Sequence, residues 1–95
     1  MPLKVLIVDD DPINNFLCRE VIREIAPELP LADFTSPEKG LEYISTTVVS
    51  DGPERQLLLL LDIDMPILNG WEFMERIHLL PPELQKQFLI YILSS

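Results

Sequence analysis

A single cysteine, Cys18, leaves no intrachain disulfide to staple the fold. Basic residues are scarce: 7 Lys and Arg stand against 16 Asp and Glu, for a net charge of −9. They form no cluster, so nothing here would displace counterions from a nucleic acid, and an acidic surface is repelled by an anionic membrane. No apolar run approaches the roughly 20 residues of a membrane-spanning helix. The opening apolar stretch is short and runs into aspartates, which is not a signal-peptide pattern. Together these absences make a cytoplasmic placement the expectation. There is no internal repeat and no low-complexity tract. What is present is 95 residues, 47% of them hydrophobic. That suffices for one domain with a modest core and is too apolar for disorder.

Two acidic clusters each follow an apolar run. Lys4-Val5-Leu6-Ile7-Val8 leads into Asp9-Asp10-Asp11, and Leu57-Leu58-Leu59-Leu60-Leu61 leads into Asp62-Ile63-Asp64-Met65-Pro66. Short apolar runs rich in branched residues read as strands buried on both faces. Carboxylates at the ends of such strands lie on the rim of a parallel sheet, where open α/β folds bind ligands. If the two strands are neighbours, at least three carboxylates converge. Like charges that close cannot all stay ionised without a cation between them. The pattern points to a divalent-metal site with one carboxylate free for chemistry.

The rest of the chain supports that architecture. After a first strand at Val5–Val8, Asp11 reads as an N-cap and Pro12 as the first turn of a helix. Ile13, Leu17, Val21 and Ile25 recur at spacing four with Phe16 beside them, so this helix is amphipathic. Pro27 and Pro30 close it. Leu31–Phe34 is a short second strand, and Ser36-Pro37-Glu38 starts a second helix with Leu41 and Ile44 on its apolar side. Asp51-Gly52-Pro53 is a turn signal, Gln56–Leu61 the third strand, and Asn69-Gly70 another turn. A third helix follows with Phe73, Met74 and Ile77 inward, and Pro81-Pro82 breaks or restarts it. Phe88–Leu93 is the fourth strand, ending in Ser94-Ser95. The alternation β-α-β-α-β-α-β requires right-handed crossovers and a parallel sheet with helices on both faces.

With these motifs in order, the chain resembles the receiver domain of two-component response regulators. The family pattern is an acidic pair after the first strand, here Asp9-Asp10. A D-x-x-M-P-x-x-(N/D)-G segment follows the third strand, here Asp62-Ile63-Asp64-Met65-Pro66-Ile67-Leu68-Asn69-Gly70. A Ser or Thr ends the fourth, here Ser94. The resemblance implies a doubly wound, flavodoxin-like receiver fold with strand order 2-1-3-4, occupying residues 1–95 as one C-terminally incomplete domain.

It also implies roles. Asp62 would be the phosphoacceptor, with Mg²⁺ neutralising charge at the anionic phosphoryl group. Asp10 would be the direct carboxylate ligand, with Asp9 closely associated or acting through water and Asp62 also among the metal-site residues. Asp64 would contribute its backbone carbonyl, its side chain tuning dephosphorylation. Ser94 would donate its hydroxyl to a phosphoryl oxygen and shift on phosphorylation. The partner would be a histidine kinase or a histidine-phosphotransfer protein. His78 reads as a surface residue, so the phosphorylated histidine would lie on that partner. Such a module is not an enzyme beyond catalysing its own phosphorylation and dephosphorylation, and neither nucleic acid nor membrane is an expected partner.

The family pattern continues with a fifth strand bearing a Lys that pairs with the phosphoryl group, and an aromatic that reports the switch. Both would lie beyond Ser95, in a piece of roughly 30 residues. Three explanations are open: the ordered part of a longer protein, a truncation held by a partner chain or by exchange of elements between copies, or a fragment without independent function. Without that piece, Phe88–Leu93 becomes a bare apolar edge strand and the face under the last helix is exposed.

Among the remaining residues, Cys18 reads as a small helix residue without redox work. Trp71 reads as a helix-start aromatic packing locally, Met65-Pro66 as shaping the loop, and Tyr91 as a core or edge residue. Two other functions use the same residues. A receiver-like interaction module that is not phosphorylated would show neither Mg²⁺ binding nor any effect of Asp62→Asn. A metal-dependent phosphohydrolase would need an additional acid/base and a substrate cap, and the sequence offers neither.

Overall fold

The computed structural model describes residues 3–48, 56–62, 70–80, 82–85 and 87–93. Four apolar runs form strands: β1 (Leu3–Val8), β2 (Leu31–Phe34), β3 (Gln56–Asp62) and β4 (Phe88–Leu93). The helices are α1 (Pro12–Ile25), α2 (Pro37–Tyr43), α3 (Gly70–Ile77) and a single turn, α4 (Pro82–Gln85). The strands are all parallel, in the order β2-β1-β3-β4. This is the doubly wound order expected. The chain steps from β1 outward to β2 and then returns to the other side of β1, so β1 and β3 flank the point where strand order reverses.

Alternate strand residues point to opposite faces of the sheet. On one face Leu6, Val8, Leu57, Leu59 and Leu61 are sealed beneath Ile44, Phe73 and Ile77. Phe73 and Ile77 are therefore the inward positions of α3 and Met74 is partly buried, as their spacing predicts. Gly40 lets α2 approach: a Cβ there would meet Val8 Cγ2 at 3.0 Å and the Phe73 ring at 3.5 Å. The other face of β1, at Val5 and Ile7, is also buried. α1 packs on β1 and β2.

Helix ends follow local chemistry. Asp11 caps α1 by accepting from the Ile13 N–H at 2.9 Å, with Pro12 in the first turn. Ser36 caps α2 by accepting from the Lys39 N–H at 3.4 Å, with Pro37 behind it. α2 continues into a wide π turn over Ile44–Val48. There the Ser45 and Thr46 hydroxyls donate to the Leu41 and Glu42 carbonyls. Such back-bonding loosens the ordinary helical ladder. After α3, Pro82 starts the single-turn α4, from which Gln85 Nε2 donates to the carbonyls of His78 (2.9 Å) and Leu80 (2.7 Å). Those carbonyls would otherwise be left without partners at the helix end.

The apolar row of α1 departs from the simplest expectation. Ile13, Phe16, Leu17, Val21 and Ile25 are each more than half exposed. The inward side is instead Asn15, with Cys18, Arg19 and Ile22 half-buried. Trp71, expected to pack locally, is exposed, as are Leu89 and Tyr91 on β4. Parity places Leu89 and Tyr91 on the sheet face opposite Phe88 and Ile90, which pack on the core beneath α2 and α3. They therefore share α1's face. Asp51-Gly52-Pro53, Asp64, Met65-Pro66, Asn69 and Ser94 lie outside the described residues.

Gly40→Ala tests the close approach. The fully buried Val8 cannot retreat, so overpacking outweighs the gain in helix propensity. The expected loss is about 1 kcal/mol in urea unfolding; a more stable variant would show that α2 can move away.

Candidate functional site

The site follows from strand register. Val8 of β1 pairs with Leu61 of β3, so the next residues along the two strands are Asp9 and Asp62. One carboxylate oxygen from each of Asp9, Asp10 and Asp62 lies within 4.8 Å of the others. Asp9 is 3% exposed and Asp62 is 6% exposed, whereas Asp10 is open to solvent. The triad thus has two carboxylates in the floor and one at the mouth.

The turn from β1 to α1 is internally bonded. The Asp11 N–H donates to Asp9 Oδ1 at 2.9 Å, and Asp11's own carboxylate caps α1. The Asp9 N–H donates to the Phe34 carbonyl at 3.1 Å, carrying the β1–β2 ladder one residue past the strand. Burial pushes the Asp9 carboxyl above its ordinary value of 3.8. The Asp11 N–H opposes that shift, and the charge of Asp62 and a hydrogen bond with it reinforce it. The Asn14 side chain also hydrogen-bonds Asp9 and favours its anion. Burial, with Asp9's charge, likewise raises the Cys18 thiol and disfavours the reactive thiolate.

These three residues fit a metal ion. All donors are carboxylate oxygens, the hard set that suits Mg²⁺, Ca²⁺ or Mn²⁺ rather than thiolate- or imidazole-seeking metals. A cation would also relieve the repulsion between Asp9 and Asp62. The site therefore unites Asp9, Asp10 and Asp62 as the sequence predicts; Asp64 and Ser94, expected to complete it, lie outside the described residues. Sequence reasoning missed Asn14 and Asn15. Asn15 is buried and its Nδ2 donates to the Asp9 carbonyl at 3.1 Å. The sequence carried no signal for it, because the apolar row of α1 lies on the other side of the helix.

Comparison with known proteins agrees with this geometry. Residues 5–94 match the model of the response regulator receiver domain. The chain belongs to that family. It is 39% identical over 79 residues to the cyclic di-GMP phosphodiesterase response regulator RpfG of Xanthomonas campestris, a match covering 83% of this chain and 19% of that protein. Its fold is similar to a response regulator receiver protein from Dyadobacter fermentans (TM-score 0.84, 22% identity), over 98% of this chain and 69% of that one. It is also similar to a CheY-like receiver domain protein from Methanospirillum hungatei (TM-score 0.73, 20% identity), over 97% of this chain and 64% of the other. The chain thus spans about a fifth of that longer relative. Receiver domains are typically non-catalytic phosphoacceptor modules, and the acidic cluster is consistent with such a site. Among the described residues no helix is long and apolar enough to cross a membrane.

The raised Asp9 pKa has a consequence for stability. The folded protein holds this proton more tightly than the unfolded chain does, so the contribution favours folding at low pH and is lost as pH rises through the folded pKa. Asp9→Asn removes that loss while keeping an oxygen for the Asp11 N–H. The metal-free variant should melt a few degrees above the parent at neutral pH, with the gain shrinking as pH falls through the folded pKa and gone below the unfolded value. An unchanged or lower midpoint at neutral pH would refute the buried-charge account.

Proposed function

We propose that this chain is the phosphoacceptor module of a two-component phosphorelay. Asp62 accepts a phosphoryl group from a phosphohistidine on a partner kinase or histidine-phosphotransfer protein. The observation that carries this reading is the placement of Asp62: a buried carboxylate at the end of a central strand, beside Asp9 and Asp10 and at the reversal of strand order.

A carboxylate oxygen of Asp62 forms the new bond to phosphorus as the partner's N–P bond breaks. The electron pair of that bond stays on the imidazole nitrogen, which takes up a proton, and Asp62 becomes an acyl phosphate. An anionic nucleophile approaching an anionic phosphoryl group is opposed by charge. Bound Mg²⁺ would supply the positive charge that removes this barrier. In this chain Asp9, Asp10 and Asp62 are the side chains that would hold the ion, with the backbone carbonyl of Asp64 as a further ligand. Ser94 donates its hydroxyl to a phosphoryl oxygen, and its movement switches a protein-interaction surface. The burial of Asp62 keeps bulk water from competing at the reacting oxygen. Output by protein contact, in the cytoplasm, completes the reading.

The test is the intact mass of the protein before and after incubation with Mg²⁺ and acetyl phosphate. One phosphoryl group should be gained, and Asp62→Ala should gain none while retaining the fold. Labelling of that variant to the same extent would sink the assignment. Absence of labelling in a full-length receiver protein carrying this segment would favour the interaction module that is not phosphorylated.

A further inference from the structure

Asn15 is 1% exposed, in the first turn of α1. Its Nδ2 donates to two carbonyls, Asp9 at 3.1 Å and Phe34 at 3.2 Å. Its backbone N–H donates to the Asp11 carbonyl at 3.1 Å. One residue therefore grips the acidic turn on both sides of Asp10 and ties it to the end of β2. Among the described residues its Oδ1 is buried without a hydrogen-bond partner. An unpaired buried acceptor disfavours the fold, and a leucine of similar shape would avoid it. What the amide supplies in return is the pair of Nδ2 bonds.

β1 ends at Val8, so Asp9 is the first residue beyond the strand, and the peptide carrying its carboxylate needs holding from outside the strand. We propose that Asn15 is a positioning residue: by fixing the Asp9 carbonyl it keeps the Asp9 carboxylate turned toward Asp62 and so sets the affinity of the triad for a divalent cation. This rests on the reading of Asp9, Asp10 and Asp62 as a Mg²⁺ site. Partners that orient metal ligands typically govern affinity by about 10- to 100-fold. A merely structural role is separable here. Arg19 lies one turn further along the same helix side, and its Nη1 meets Asp33 Oδ1 at 3.0 Å. That pair also docks α1 on β2, through Asp33 rather than through a triad carboxylate.

The experiment measures Mg²⁺ dissociation constants by calorimetry, at a temperature where each protein is folded, for the parent, Asn15→Ala, Asn15→Ser and Arg19→Ala. Thermal midpoints in EDTA are read separately. Asn15→Ala should weaken binding by about 10- to 100-fold. Asn15→Ser, whose hydroxyl can still serve one carbonyl, should fall between it and the parent. Arg19→Ala should lower the midpoint and leave affinity within about twofold, since its hydrogen bond goes to Asp33 and not to a triad carboxylate. Asn15→Ala binding as tightly as the parent, or Arg19→Ala losing as much affinity as Asn15→Ala, overturns the proposal. If Asn15→Ala does not fold, Asn15→Ser decides, and parental affinity in it overturns the proposal. A parent that binds no Mg²⁺ removes the metal reading of the triad and this inference with it; a parent that binds beside unaffected Asn15 variants removes the inference alone.

Discussion

The structure turns on the parallel pairing of β1 with β3, which sets Asp9 and Asp62 side by side as both strands end. Each strand is specified by burial: Val5–Val8 and Leu57, Leu59 and Leu61 are sealed, and a register slip of one residue would turn every core side chain to the wrong face. The same constraint that protects the core forces two like charges together at its rim. An apolar sheet thus places two carboxylates where neither would settle alone. The shift of Asp9 toward its protonated form is the electrostatic record of that placement.

The neighbouring elements divide the work of tolerating it. On the α2–α3 face, Phe73, Ile77 and Ile44 close over the strands, and Gly40 lets α2 come close to Val8 and Phe73. Polar groups concentrate around the turn after β1: the Asp11 and Asn14 bonds to Asp9, the Asp9 N–H on Phe34, and the two bonds of Asn15. Asp10 is left exposed, so the site opens to solvent through the one carboxylate that is cheap to hydrate.

Much of this was legible in the sequence, because the signals were short-range. The runs around Val5, Leu59 and Ile90 each read as strands, and β2 and β4 have the expected bounds. Asp11, Ser36 and the prolines behind them mark helix starts by local hydrogen bonding and fixed φ. Asp9, Asp10 and Asp62 could be paired because strand ends in a parallel sheet share an edge. Two features were not legible, for one reason. The spacing of Ile13, Leu17 and Val21 shows that α1 has an apolar row but not which neighbour meets it, and here the row faces outward. Asn15 occupies the inward side, and no periodicity of hydrophobic residues reveals a buried amide whose partners lie on another strand.

That reversal says how α1 is held. A helix docked by its apolar row is stabilised by roughly 1.5–3 kcal/mol for each large side chain it buries. α1 spends little of that: its inward contacts run through Asn15, Cys18, Arg19 and Ile22, and its anchoring bonds to β2 are those of Asn15 and the Arg19–Asp33 pair. Arg19 and Asp33 are each partly exposed, and an ion pair in that setting contributes little. Directional bonds fix the azimuth and depth of a helix more sharply than an apolar stripe does, while adding less to its stability. Within the described residues, the element that carries the turn between Asp9 and Asn15 is therefore oriented by directional bonds rather than by its apolar row. In a domain whose site depends on one turn staying in place, orientation at that turn is where small energies have the largest effect.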